Sequence, residues 1–222
     1  MEKHETQPAR MAASTAEAAS STELVLATSQ HAFTLRPPST KPFHTSSAHP
    51  NNPPSIEWLE GIWHVTHSTL PMWTKACNVQ IKYTPVAQGP ANASPVPLDD
   101  LVTYQGLDSD KIKSVHGLDK PEEGGWAWHW YGKGWLMIAS SRWEVLGYGE
   151  DDSKNKWVVT YFAKTMFTPA GVDLYSRDPG GLAKETVEGI KRALVGLGHE
   201  EVGKLANELF EIKMDKGRAG KE

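Results

Sequence analysis

The sequence predicts a mainly β fold: an eight-stranded antiparallel up-and-down barrel with a C-terminal α-helical segment packed outside. Three observations lead to this prediction. Between residues 61 and 177, short segments of alternating apolar and polar residues are separated by turn residues. Beyond residue 181 the apolar period changes from two to about 3.6, which is the period of an α-helix. All nine tryptophans lie between Trp58 and Trp157, within the strand region.

The chain divides by composition into three parts. Residues 1–55 are dominated by Ala, Ser, Thr and Pro, a composition that cannot bury enough apolar area to offset the entropy of ordering. We therefore expect a disordered leader over 1–55. Residues 56–212 are predicted to form the barrel with its C-terminal helices, and residues 213–222 a charged tail.

Composition also restricts the functional class and the compartment. The net charge is -4, and no cationic stripe accompanies the aromatic residues, so no nucleic-acid partner is predicted. A single cysteine, Cys77, excludes an internal disulfide framework and is typical of a reducing compartment. No signal peptide and no run of about 18 apolar residues is present, so we predict a cytoplasmic protein without a transmembrane segment. The oligomeric state stays open.

Alternation and turn residues set the predicted elements. A turn of helix at residues 56–59 is expected to cover the barrel floor. Strands are predicted over residues 61–69, 78–84, 101–106, 111–118, 125–131, 142–148, 156–166 and 172–177. Two amphipathic helices follow, over residues 182–194 and 202–212.

Side-chain parity predicts which residues face the inside of the barrel. Gly61 allows close approach of backbones while Trp63 plugs the floor, and parity then sends His67 inward as well. Trp126, Trp128 and Trp130 alternate along one strand, and we call this set the indole wall. The residues predicted to bind a ligand are His67, Tyr83, Trp126, Trp128, Trp130, Trp143 and Tyr161.

An eight-stranded barrel has room inside for packed side chains or for one small ligand. For any single tryptophan, an aromatic core is the simpler interpretation. The indole wall as a set favours a flat apolar ligand.

Most other chemistry lacks its residues. His64 and His67 face opposite sides of a strand and cannot share a metal, so no metal site and no cofactor is predicted. No Gly-x-Ser-x-Gly, phosphate loop or dinucleotide fingerprint is present. Glu144 is the acid that we place centrally in a strand, and we expect it outside the barrel.

Two anchors resemble the lipocalin family. Residues 173–179 read Asp-Leu-Tyr-Ser-Arg-Asp-Pro and precede Leu-Ala-Lys-Glu, and Gly-His-Glu-Glu-Val-Gly-Lys-Leu follows at residues 198–205. This resembles the C-terminal signature of the bacterial, plant and apolipoprotein D-like branch. Together with Gly61-x-Trp63, the resemblance brackets about residues 57–210. It implies a lipocalin-like barrel in which Trp63 and Arg177 pack across the closed end.

The chain departs from the family pattern in three ways. Gly180-Gly181 adds one residue to the usual spacing, the middle Thr-Asp-Tyr type motif is not recognisable, and there is neither a signal peptide nor a disulfide pair. The resemblance therefore bears on fold more than on function.

Two functional hypotheses follow. The first is a protein that binds a small hydrophobic ligand, planar or polyene-like, in the Trp-lined barrel. The second is a cofactor-independent isomerase or cyclase acting on a hydrophobic secondary metabolite, a polyketide or terpenoid, with His67 or a tyrosine as acid or base. The sequence does not separate them, since both use the same residue types.

Overall fold

The computed structural model describes residues 33–39, 52–86 and 96–215. The remainder of the predicted leader and the charged tail beyond residue 215 lie outside these ranges. Their predicted disorder stays a prediction.

Eight antiparallel strands form a closed barrel, which confirms the predicted fold class. The strands are β1 (Gly61–Ser68), β2 (Ala76–Pro85), β3 (Leu98–Gly106), β4 (Lys113–Pro121), β5 (Ala127–Gly132), β6 (Ser140–Glu150), β7 (Lys156–Phe162) and β8 (Gly171–Ser176). Each strand pairs with its neighbours in sequence, and β1 pairs with both β2 and β8 to close the barrel. Residues 134–136, between β5 and β6, form a 3-10 turn.

One end of the barrel is closed by helix α1 (Ile56–Leu59) and by Trp63. The Trp63 Nε1–H donates to the Leu59 carbonyl at 2.8 Å. The Arg177 guanidinium lies 3.8 Å from the centre of the Trp63 ring and donates to the Leu59 carbonyl at 3.2 Å. Gly61 has φ +101, and a Cβ there would lie 2.9 Å from the Arg177 guanidinium, so glycine suits this position.

Two helices pack against the outside of the barrel, as predicted. They are α2 (Lys184–Gly196) and α3 (Glu200–Glu208). Their apolar sides form an outer core with β7 and β8, which includes Val159, Val172, Leu174, Ile190, Leu194 and Val202. The second helix ends earlier than predicted because the next residues form a short strand, β9 (Phe210–Glu211), that pairs with β1. Among the described residues, no helix is long and apolar enough to cross a membrane.

The inward-facing side chains of β7 are the opposite set from the one that the predicted inward position of Tyr161 implies. Trp157, Val159 and Tyr161 belong to the outer core under the helices. Val158 belongs to the inner core, which is the buried cluster that contains Trp63. The strand is buried on both faces, so apolar residues occupy both parities and alternation no longer identifies the inner face.

Residues 33–39 of the predicted leader pack against β6 in the structure. The Arg36 backbone N–H donates to the Leu146 carbonyl at 2.8 Å, and its guanidinium forms a 2.7 Å ion pair with buried Glu144. The Phe33 ring lies 5.2 Å from that of Trp157. The expected disorder therefore does not extend to this segment, because a few anchoring side chains outweigh the polar composition of the leader as a whole.

Candidate functional site

Three aromatic side chains are stacked inside the barrel. The Trp128 and Trp143 ring centres are 4.5 Å apart at an interplanar angle of 15°, and the Tyr83 and Trp143 ring centres are 5.6 Å apart at 12°. All three side chains are buried in the inner core, on β2, β5 and β6. The structure therefore brings together three of the predicted ligand-binding residues, as a packed stack.

The other two tryptophans of the indole wall flank this stack. Trp130 lies over Gly117, where a Cβ would come within 2.0 Å of the indole nitrogen. Only glycine accommodates the ring there. Trp126 contacts the Arg36 guanidinium, 5.3 Å from its ring centre, and Tyr148, whose ring centre is 6.3 Å away. Trp126 is buried in the inner core with Trp128, whereas Trp130 is half-buried and packs against that core.

His67 does not face the inside of the barrel, contrary to the prediction. A β-bulge between Val65 and His67 reverses the parity on which the prediction depended. The imidazole lies between the barrel wall and α2. Burial lowers its pKa, and the charges of Glu211, Lys191 and Glu188 act on it from β9 and α2. His67 therefore has no geometric access to the inner aromatic stack.

Tyr161 is also outside, contrary to the prediction. Its hydroxyl donates to the Glu201 carboxylate of α3 at 2.7 Å. Burial, followed by this hydrogen bond, raises the pKa of Tyr161. Tyr161 anchors a helix to the barrel wall and does not line the interior.

Sequence reasoning missed three aspartates that the barrel buries. Asp100 lies on β3, Asp119 on β4 and Asp173 on β8, and all three side chains are shielded from solvent. Burial disfavours the ionised form of a carboxyl and raises its pKa. Three buried carboxyl groups among aromatic rings are costly unless they are protonated or paired.

A hydrogen bond joins the side chains of Asp100 and Asp119. Burial raises the pKa of Asp100, and the negative charge of Asp119 raises it further. Burial also raises the pKa of Asp119, although the Trp143 Nε1–H donates to Asp119 Oδ1 at 2.8 Å and opposes the shift. Two adjacent buried carboxyls cannot both ionise at neutral pH, so the pair holds at least one proton.

The aromatic interior that the structure describes also holds one unsatisfied polar group. The Trp128 Nε1–H has no hydrogen-bond partner within the described ranges, whereas the Asp100 and Asp119 carboxyls hydrogen-bond each other. Buried polar atoms are almost always satisfied. The Trp128 N–H is therefore suited to donate a hydrogen bond to a molecule inside the barrel.

Two tyrosines accompany the carboxyl pair. Burial raises the pKa of Tyr83 well above its usual value, and the charges of Tyr175 and Asp100 raise it further. Burial and the charge of Asp173 act on Tyr175 in the same way. Both phenols are therefore neutral hydrogen-bond donors at physiological pH.

The third acid, Asp173 on β8, lies beside Ser68 at the C-terminal end of β1, whereas Trp63 lies near the N-terminal end of that strand. The Ser68 hydroxyl donates to Asp173 Oδ1, and Ser68 pairs with Asp173 across β1 and β8. Burial raises the pKa of Asp173 to about 7, although the Ser68 hydrogen bond opposes the shift. Asp173 is thus poised to change charge near neutral pH.

The predicted strand bounds explain why the carboxyl pair was missed. Asp100 and Asp119 lie just beyond the predicted strands 101–106 and 111–118, whereas β3 and β4 include them. Asp100 pairs with Tyr83 and Asp119 with Trp130 across neighbouring strands. The parity of the indole wall would therefore have placed Asp119 inside, had the strand been extended by one residue.

Neither a metal centre nor the surface cleft competes with this site. In the part of the chain that the structure describes, no three His, Cys, Asp or Glu side chains are arranged to hold a metal ion. An open cleft of about 400 Å³ lies elsewhere, between residues 105–110 and residues 77, 78 and 215. Its lining is mainly polar and it includes none of the three buried aspartates, so the barrel interior is the candidate site.

The closed up-and-down topology with outer C-terminal helices defines a lipocalin-like barrel protein. No family model matches the chain. Botcinic acid biosynthesis cluster B protein 12 of Botryotinia fuckeliana (strain B05.10) is 32% identical over 164 residues, covering 71% of this chain and 73% of that protein. The chain belongs to the family of that protein.

Two solved structures resemble the chain in fold. One is apocrustacyanin C1, with a TM-score of 0.48 and 15% identity over 70% of this chain and 77% of that one. The other is the siderocalin Ex-FABP, with a TM-score of 0.46 and 13% identity over 71% of this chain and 95% of that one. At this level of similarity they add nothing about the site.

Proposed function

We propose that the protein is a cofactor-independent isomerase or cyclase that acts on a hydrophobic small molecule inside the barrel. The observation that carries this proposal is the buried pair of Asp100 and Asp119 beside stacked aromatic rings. A barrel that only stores an apolar ligand gains nothing from two desolvated carboxyls, which cost stability when buried. An acid catalyst needs such groups, since burial keeps a carboxyl protonated at neutral pH.

The proton transfers balance without a cofactor. The Trp143 N–H favours Asp119 as the ionised member, which leaves the shared proton on Asp100. Asp100 donates this proton to a carbonyl oxygen or alkene carbon of the substrate, and Asp119 accepts one from an adjacent carbon. Product and substrate are then isomers, and one proton transfer from Asp119 back to Asp100 restores the starting state.

The aromatic rings supply the binding surface for this chemistry. The faces of Trp128, Trp143 and Tyr83 suit a flat or folded polyene. The neutral Tyr175 hydroxyl, which accepts a hydrogen bond from Tyr83, can donate its own proton to a developing oxyanion. Support from the comparison is coarse: the relative carries the name of a biosynthesis cluster for botcinic acid. A substrate from natural-product biosynthesis agrees with that name.

The second candidate function is ligand carriage. The observation that favours it is the aromatic stack, in which the Trp128 and Trp143 ring centres are 4.5 Å apart. Such an apolar surface suffices to bind a hydrophobic ligand and requires no catalytic group. A carrier would bind a hydrophobic ligand and release it chemically unchanged.

One complementation experiment separates the two functions. A Botryotinia strain lacking cluster B protein 12 would receive this chain, the Asp100→Asn variant or the Asp119→Asn variant, and isomeric products would be resolved by chromatography and mass spectrometry. We expect the wild type to restore one isomer and both variants to lose it by about 10²- to 10⁴-fold. Asp99→Asn is the matched control, because Asp99 neighbours Asp100 but pairs with His116 and Lys133 outside the barrel.

Carriage predicts a different outcome. Variants that bind a planar apolar fluorescent probe as tightly as the wild type and restore the product fully would exclude acid catalysis by the pair. Failure of the wild type to complement would be followed by feeding cluster intermediates to the purified protein. Unchanged recovery of every bound intermediate would then support the carrier.

A further inference from the structure

Large apolar side chains are exposed at one end of the barrel. Since neighbouring strands are antiparallel, the connections β1–β2, β3–β4, β5–β6 and β7–β8 all leave at the same end. Nine large apolar side chains are exposed within the described ranges, and six of them belong to these four connections. We call this set the apolar rim: Met72, Leu107, Met137, Ile138, Met166 and Phe167.

Two adjacent pairs within the apolar rim are almost fully exposed. The exposed fractions are 76% for Met137, 95% for Ile138, 91% for Met166 and 88% for Phe167. None of the four belongs to either hydrophobic core. Side chains that project this far and stabilise no part of the fold mark an interaction surface. Separate projecting tips suit a soft apolar medium better than a shaped protein groove.

The charges of the barrel are separated along its axis. The four connections of the apolar rim contain four lysines and two aspartates, a net charge of +2: Lys75, Asp108, Asp110, Lys111, Lys133 and Lys164. At the closed end, residues 56–60, 122–126, 151–155 and 177–183 contain seven acids and two bases, a net charge of -5. An anionic surface would therefore attract the rim end and repel the closed end.

From the projecting tips and the charge separation we infer that the apolar rim docks the barrel on an anionic lipid surface. Met137, Ile138, Met166 and Phe167 enter the boundary between head groups and acyl chains. Lys75, Lys111 and Lys164 in the same connections then lie at the level of the lipid phosphates, whereas Lys133 stays paired with Asp99. This inference does not depend on the proposed reaction, but docking in this orientation would hold one end of the barrel against the phase in which a hydrophobic small molecule dissolves.

Vesicle co-sedimentation of the full chain tests the inference. Vesicles of phosphatidylcholine alone would be compared with vesicles in which about one third of the lipid is phosphatidylserine. We expect binding to the anionic vesicles that weakens at least fivefold between low and physiological salt, because surface charges are screened. Equal affinity for both vesicle types, or no binding to either, would overturn the inference.

Matched variants locate the contact on the barrel. The double variants Met166→Ser with Phe167→Ser, and Met137→Ser with Ile138→Ser, should each weaken vesicle binding at least tenfold. Val195→Ser is the apolar control, since Val195 is also exposed but lies on α2. Lys164→Glu should weaken binding, whereas Lys154→Glu at the closed end should not.

Two outcomes would assign the apolar rim to another partner. If the rim variants bind vesicles like the wild type and light scattering shows that they convert a dimer to a monomer, the rim is a contact between two copies. If they bind vesicles normally and lose a purified protein partner, the rim is a protein interface. Either result overturns lipid docking. Unchanged thermal unfolding of the variants would show that any loss of binding does not reflect misfolding.

Discussion

The Arg177 guanidinium lies 3.8 Å from the centre of the Trp63 ring and donates to the backbone carbonyls of Trp58 and Ile62, each at 2.8 Å. The Arg177 side chain, which directly follows β8, thereby joins the end of that strand to both α1 and β1. Burial lowers the pKa of Arg177 to about 10, which leaves the guanidinium charged at neutral pH. The pair closes the barrel by stacking and by hydrogen bonds at once.

Removing this plug should destabilise the whole barrel. Trp63→Ala is expected to lower the free energy of unfolding by about 3 to 5 kcal/mol, because replacing a fully buried tryptophan by alanine leaves a large cavity. Urea denaturation measures this change. Arg177→Lys keeps the charge but loses the planar stacking and should cost less than Trp63→Ala. A loss under about 1 kcal/mol for Trp63→Ala would show that Trp63 does not support the closed end.

The stability of the protein should fall as pH rises through neutrality. The pKa of Asp173 is raised by burial to about 7, above its unfolded value, so the folded state binds more protons between about pH 4 and pH 7. Its stabilising contribution is complete below the unfolded pKa and is lost as pH rises through about 7. Urea denaturation should therefore give a higher free energy of unfolding at pH 5 than at pH 8.

Asp173→Asn tests the source of this dependence. Asparagine cannot ionise, so the variant should lose part of the decline between pH 5 and pH 8. Asp100 and Asp119 also have raised pKa values, and their burial should sustain the remainder of the decline. Burial lowers the pKa of His67, which makes stability rise with pH and opposes this decline. The comparison of wild type with Asp173→Asn isolates the contribution of Asp173, and an identical pH dependence in the two proteins would refute it.

Replacing His67 should leave binding inside the barrel unchanged. The side chain lies beside α2 and β9, so His67→Ala should alter neither the affinity for a planar apolar probe nor the quenching of tryptophan fluorescence by that probe. Trp143→Phe is the contrasting variant, because it leaves Asp119 Oδ1 without its donor at 2.8 Å. We expect it to reduce the quenching and to cost about 1 to 3 kcal/mol of stability. Loss of probe binding in His67→Ala alone would contradict this placement.

The buried ion pair of Arg36 and Glu144 should hold the N-terminal segment on the barrel. Arg36→Ala leaves a buried carboxylate with one cation fewer and should cost about 3 to 5 kcal/mol. Limited proteolysis of the wild type should leave a resistant fragment that retains residues 33–39. The variant should be trimmed further, toward residue 52.

A double variant isolates the ion pair. In the Glu144→Gln background, Arg36→Ala should cost much less than in the wild type, because the charge left unpaired is gone. A resistant wild-type fragment that begins near residue 54 would return the segment to the disordered leader.

Local patterns predicted much of the architecture. Strand alternation, turn residues and the change of period beyond residue 181 define eight strands and outer helices, because these signals depend on near neighbours in the chain. The proximity of Tyr83, Trp128 and Trp143 also follows from parity. The closer likeness to the apolipoprotein D-like branch stays a prediction.

Only the tertiary structure decided which residues form the candidate site. A single bulge after Val65 turned His67 outward, and helices outside β7 removed the polar parity that would have marked Tyr161 as outward-facing. Asp100 and Asp119 lie on strands separated by a turn, and their altered pKa values exist only because folding buries both in one place. Burial and charge coupling depend on distances between residues remote in sequence, which no local pattern encodes.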